Sequence, residues 1–249
     1  MNQTLKWKLE ASHECSWKSS VRDYIEESGG VYLEVLESWY NRFPGTDAQK
    51  KSLLTHLVSS ATEDHLGAVN ELAWWQLFQS RGHQIEPIVR AKTATPDFIH
   101  KNKGIKIFFE VTTLNIAKNS NEVELESGSR HSVKRVAQKC ASNKELQLLF
   151  GYERQSPSVL VVFNYDTWSG YGVNHHKVIL EEFDVTKLPE SLSAIVFVER
   201  RVNSKGVPVF NKQQFAILEN DGAKYKYDCS LLQSIFSKEG YEVPCESNS

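Results

Sequence analysis

Two carboxylates stand in the stretch TPDFIHKNKGIKIFFEVTTL, residues 95–114. Asp97 directly follows Pro96, and Glu110 sits in an apolar run with Phe108, Phe109 and Val111. A carboxylate in such a run is costly to desolvate unless a cation or a hydrogen-bond donor meets it. HKNKG, between the two acids, supplies a turn at Asn102–Gly104, so the flanking segments are expected to pair as neighbouring strands. That pairing brings Asp97 and Glu110 together at one end of a sheet. Two convergent carboxylates repel unless a cation or a proton intervenes. A hard divalent ion such as Mg²⁺, which takes oxygen ligands, suits that arrangement. Alternation places Lys106, Phe108, Glu110 and Thr112 on one face of the strand, and Ile107, Phe109 and Val111 on the other.

A third acid, Glu71, lies on an expected helix, where it shares a face with Gly67, Ala68, Trp74, Trp75 and Phe78 at spacings of three, four and seven. An acid beside that tryptophan pair is either a border residue of the apolar stripe or a functional group. The tryptophans themselves are expected in the core.

The elements that must position these acids follow from periodicity. VYLEVLESWYNRF, residues 31–43, puts Tyr32, Val35, Leu36, Trp39, Tyr40 and Phe43 on one helical face. A cap at Thr46 or Asp47 opens a second helix with Leu53, Leu54, Leu57 and Val58. A third helix spans Thr62 to Arg81 and ends at Gly82. QIEPIVR, TPDFIH and GIKIFFEVTTL follow as strands, then a polar loop over 118–130 and a helix from His131 to Phe150. PSVLVVFNYD and LSAIVFVER are apolar on both faces, as central strands covered by helices are. QFAILEN–DGA–KYKY reads as a hairpin and SLLQSIF as a last helix. The expected class is α/β with a mixed sheet. Residues 1–60 form an N-terminal helical extension and residues 61–249 the main domain.

The totals exclude several classes. The chain has 249 residues and a formal net charge of −2, so no overall basic balance points to nucleic acid, although a local patch is sufficient for binding. Basic residues cluster at Lys101, Lys103 and Lys106, at Arg130, Lys134, Arg135 and Lys139, and at Arg200, Arg201, Lys205 and Lys212. Cys15, Cys140, Cys229 and Cys245 form no CxxC pair, which argues against a zinc site and a disulfide framework. Neither a signal-peptide core nor an apolar run of roughly 18 residues occurs, so a cytoplasmic setting without a membrane span is expected. Walker, GxGxxG, GxSxG and HExxH motifs are absent. His175 and His176, being adjacent, make a poor two-ligand site. Tyr165, Asp166 and Trp168 follow the VLVVF strand, at the end where α/β sheets often contact ligands.

Glu71 on a helix, Pro96-Asp97 at one strand and Glu110-Val111-Thr112 on the next resemble the PD-(D/E)XK nuclease superfamily over roughly residues 62–200. The expected element order, αβββαβ, is similar to that superfamily's restriction-endonuclease-like core. The resemblance implies a Mg²⁺-dependent DNA endonuclease, with Mn²⁺ as a substitute, in a restriction or phage-defence role. It implies that Asp97 and Glu110 bind the metal, with Glu71 joining directly or through water. RNA stays open as a substrate, as do a homodimer and a protein partner docked on the N-terminal helices.

One departure matters: the superfamily has lysine two residues after the glutamate, where this chain has Thr112. Lys106 is about 13 Å from Glu110 at ~3.3 Å per residue, too far to replace it. The next helix offers Lys144 and Gln147 at i, i+3. Branches of the superfamily with a Glu-Val-Thr strand look similar, with a Lys-x-x-Gln-Leu helix; Lys144-Glu145-Leu146-Gln147-Leu148 fits that form. Lys139 is the fallback cation. Two rival readings follow from the missing lysine: an inactive nuclease fold that binds nucleic acid or a protein, and a structural core in which a lysine or arginine neutralises Glu110.

Overall fold

The computed structural model describes residues 30–59, 61–89, 94–102, 104–114, 144–164, 184–199, 201–202, 208–209 and 215–237. The most apolar runs of the chain form the middle of a six-stranded mixed sheet. In chain order the elements are α1 (Val31–Arg42), α2 (Asp47–Leu57), α3 (Thr62–Ser80), β1 (Ile85–Pro87), β2 (Phe98–Asn102), β3 (Ile105–Leu114), α4 (Glu145–Glu153), β4 (Ser158–Asn164), β5 (Ala194–Glu199), β6 (Arg201–Val202), β7 (Pro208–Val209), β8 (Phe215–Glu219) and α5 (Ser230–Ser237). Strands run in the order β1-β2-β3-β4-β5-β8, and β6 and β7 make a separate ribbon. The first three form an antiparallel meander, β3–β4 and β4–β5 are parallel, and β8 returns antiparallel along β5. The class is therefore α/β with a mixed sheet, as expected.

The two faces of β3 carry different loads. Ile107, Phe109 and Val111 join Val159, Val161 and Phe163 of β4 in a large core with Trp39 of α1, Trp74 and Phe78 of α3, and Phe236 of α5. Each fully buried valine or phenylalanine there contributes about 1.5–3 kcal/mol. Trp74 packs against Phe78, Phe109 and Phe236 with ring centroids 5.3, 5.8 and 6.2 Å away. The opposite face is thinner: Leu160, Val162, Ile195 and Phe197 meet Leu148 of α4. That thinner face carries Glu110.

Local signals explain the boundaries. Thr46 and Gln49 make a capping box that starts α2. Gly82, at φ +75°, ends the helix that precedes it, with His83 N–H donating to Phe78 O at 3.0 Å. Gly104, at φ +85°, turns β2 into β3. At Gly151 an added Cβ would lie 2.2 Å from Ser158 Oγ and 3.0 Å from the Phe108 ring, so glycine lets α4 press onto β3 and β4.

One local expectation changes. The KYKY segment is no strand: Lys224 N–H donates to Glu190 O, and Tyr227 is buried. Its alternation mimics a strand, but its backbone bonds go to the segment before β5, where Tyr225 O also accepts from Ser193 Oγ at 2.6 Å. The helix ending near Phe150 is described only as Glu145–Glu153, with Lys144 as its N-cap and 131–143 outside the described residues. The N-terminal helices α1 and α2 share one core with α3 and the sheet, through Tyr32, Leu36, Trp39, Leu53 and Leu57. Among the described residues no helix is long and apolar enough to cross a membrane.

Candidate active site

The β2–β3 register pairs Phe98 with Phe109, so the residues one step further, Asp97 and Glu110, oppose each other. Asp97 Oδ2 accepts a 2.8 Å hydrogen bond from the Val111 backbone N–H, which fixes its carboxylate beside Glu110's strand. The backbone of Asp97 is held as well: its carbonyl accepts from Ile88 N–H at 2.9 Å, and Ile88 O accepts from Gln49 Nε2 at 2.8 Å. Helix α2 thus braces the acid strand through two successive bonds.

Glu110 is 3% exposed on the α4 face of β3. Its Oε1 accepts from Lys144 Nζ, and the two form a salt bridge across the layers. Lys144 occupies the N-cap of α4, where a cation opposes the helix dipole and gains nothing from the helix itself. Its compensation comes from the acids. Burial pulls the ammonium pKa down, but the charge and hydrogen bond of Glu110, with further contributions from Asp97 and Glu71, outweigh that and hold it above the ordinary lysine value. Lys144 is therefore a fixed cation at neutral pH, and Glu71, Asp97 and Glu110 all lie within its electrostatic reach.

The other expected site residues fall around this pair. Thr112 is buried on the Glu110 face, opposite Val162 of β4. Gln147 is half-buried one turn into α4 and makes no hydrogen bond to another described residue, so it does not join Lys144 at Glu110. Lys106 is exposed, and Lys101 pairs with Glu86 at 2.6 Å. Lys139, the loop over 118–130, Tyr165, Asp166, Trp168, His175 and His176 lie outside the described residues. So do Lys103, Arg130, Lys134, Arg135, Arg200, Lys205, Lys212, Cys15, Cys140 and Cys245. Trp74 and Trp75 are core residues, as expected.

Glu71 is half-buried on α3 and lines, with Asp97, a cleft of about 230 Å³ between α2, α3 and the β1–β2 end of the sheet. Sequence reasoning missed the wall of this cleft. Ser52 and His56 of α2 face it, and their i, i+4 spacing alongside the Leu53–Leu57 stripe was the available signal. Asn70, buried and donating to Thr113 Oγ1 at 2.8 Å, docks α3 onto β3 beside the site.

Asp97 and Glu110 offer hard oxygen donors, and Mg²⁺ is commonly held by one or two carboxylates, completing its shell with water and phosphate. That donor set fits such an ion. Among the described residues no group of three or more His, Cys, Asp or Glu is placed to hold a metal, which leaves Glu71 as a neighbour of the pair. Comparison with protein-family models, curated proteins and solved structures found no match to the chain.

Proposed function

We propose that the chain is a metal-dependent endonuclease of the PD-(D/E)XK type, hydrolysing phosphodiester bonds in DNA. The observation that carries this reading is the meeting of Lys144, from the start of α4, with Glu110 of β3, beside Asp97, which directly precedes β2, and Glu71 of α3. The order α3, antiparallel β1-β2-β3, α4 and parallel β4 supports a restriction-endonuclease-like αβββαβ core. The cation that the Thr112 position cannot supply arrives instead from another element.

Asp97 and Glu110 would hold a Mg²⁺ or Mn²⁺ ion, whose Lewis acidity polarises the phosphoryl oxygens. Lys144, protonated at neutral pH, stabilises negative charge developing on the phosphorus-bound oxygens. Asp97 is oriented by the Val111 N–H, so its remaining oxygen keeps a defined direction. The Thr112 hydroxyl is on the same face as Glu110 and can orient a water, though not neutralise charge.

The salt bridge also favours a second reading, an inactive fold in which Lys144 merely neutralises Glu110. The two differ in their response to metal. A divalent-ion site raises the melting temperature through ligand linkage, and a structural ion pair does not. Cleavage of plasmid DNA by the wild-type chain in Mg²⁺ or Mn²⁺, abolished by EDTA, is the expected result. Intact DNA in all three conditions, with no metal-dependent rise in melting temperature, would remove the nuclease reading.

A further inference from the structure

Glu71 and Asp97 share their cleft with residues of a different chemistry. Its floor is apolar, with Phe43, Leu53, Ile88 and Phe98, and its α2 rim is polar. No lysine or arginine lines it among the described residues, so nothing there is built to hold a phosphate. Ser52 is half-buried and His56 exposed, one helical turn apart, and neither side chain is engaged by another described residue. Gln49, by contrast, has its amide fixed: Oε1 accepts from Thr46 and Nε2 donates to Ile88 O. One wall is therefore rigid, and two hydrogen-bonding groups are open to a ligand.

Size narrows the occupant. A cavity of about 150 Å³ takes a benzene-sized ring. The cleft, at about 230 Å³, is larger than that and smaller than the roughly 300–1,000 Å³ of drug-sized sites. From these observations we infer that the cleft receives a single unstacked nucleobase next to the scissile phosphate. The substrate is then a single-stranded or flipped nucleotide, with Ser52 and His56 hydrogen-bonding the base edge. The inference rests on the nucleic-acid reading above. The apolar floor suits the π-face of a base, and the polar groups around it, which include the Glu71 and Asp97 carboxylates, suit its polar edges. The phosphate would go to Lys144 and to the divalent ion that Asp97 and Glu110 would hold, so one nucleotide spans both.

The test uses a single-stranded DNA oligonucleotide carrying 2-aminopurine, whose emission rises when the base leaves its stack, bound in Ca²⁺ so that binding is read apart from cleavage. A parallel digestion in Mg²⁺ reads cleavage. The wild type is expected to raise the emission on binding. Ser52→Leu, which fills the cleft, is expected to abolish the rise and weaken binding about tenfold. His56→Ala, a milder change on an exposed position, is expected to weaken binding in the same direction. Cleavage by wild type without any emission rise, or a rise unchanged in both variants, overturns the base pocket and leaves the nuclease standing. An emission rise lost in Ser52→Leu, with no cleavage by wild type, supports the pocket and removes the nuclease. Neither signal removes both.

Discussion

Lys144 and Glu110 form the pair on which the site depends. A carboxylate that is 3% exposed, in a strand of phenylalanines and valines, needs its counter-charge. Removing one partner of a fully buried pair costs about 3–5 kcal/mol, whereas replacing both by apolar residues is often neutral. The Lys144 side chain keeps 23% exposure, so water recovers part of the loss. Lys144→Met is therefore expected to cost about 2–3 kcal/mol in urea unfolding. Lys144→Met combined with Glu110→Leu should recover most of it while leaving the protein inactive. A loss in the double variant equal to the sum of the losses in Lys144→Met and Glu110→Leu alone would show that the two side chains are not coupled.

At the scale of elements, position depends on how closely α4 approaches the sheet. Gly151 sits where a Cβ would overlap Ser158 Oγ and crowd Phe108. Alanine is the better helix former by about 1 kcal/mol, so an isolated helix would gain from the change. Here overpacking is expected to win, and Gly151→Ala should destabilise by about 1–3 kcal/mol. It should also lower the cleavage rate, because lifting α4 moves Lys144 away from Glu110. Thermal unfolding and steady-state rates check both parts; a more stable, fully active variant would contradict the account. Much of this layout was legible beforehand. The short turn at Gly104 fixes the β2–β3 register, so Asp97 and Glu110 could be paired from sequence. KYKY misled because alternation reports only a period of two and says nothing of where the backbone bonds go, here to Glu190 and Ser193 ahead of β5. That Lys144 caps α4 rather than riding on it was hidden for a similar reason: helix starts are marked by caps, and this one carries no capping side chain.

For the whole molecule, α1 and α2 share one core with the sheet, and α2 also braces Asp97 through Gln49 and Ile88. No periodicity in residues 31–58 could have announced that, since an amphipathic stripe shows that a face is buried without showing against what. The same core sets the alkaline limit. Burial, with Glu219 adding, pushes the Cys229 thiol up to about 12, and Lys144 is held above its ordinary value. Both groups bind their protons more tightly when folded. Their stabilisation is complete below the unfolded values, about 8.5 for cysteine and 10.4 for lysine, and fades as pH climbs through the folded ones. The urea midpoint should thus fall between pH 8 and pH 11. A variant keeping Cys229 as its only cysteine should react with a thiol reagent at pH 8 only on unfolding. Fast labelling of the native protein would place Cys229 outside the core.

The central claim is the proposed one, that Asp97 and Glu110 hold a metal beside Lys144. Its most direct test is the rate of plasmid cleavage in Mg²⁺ by wild type and by Asp97→Asn, which keeps the shape and the acceptor for the Val111 N–H but removes the charge. The account predicts metal-dependent cleavage by wild type and a loss of at least about 100-fold in the variant, as for removal of a group that stabilises the transition state. Equal rates for the two proteins, or no metal-dependent cleavage by wild type, would contradict it.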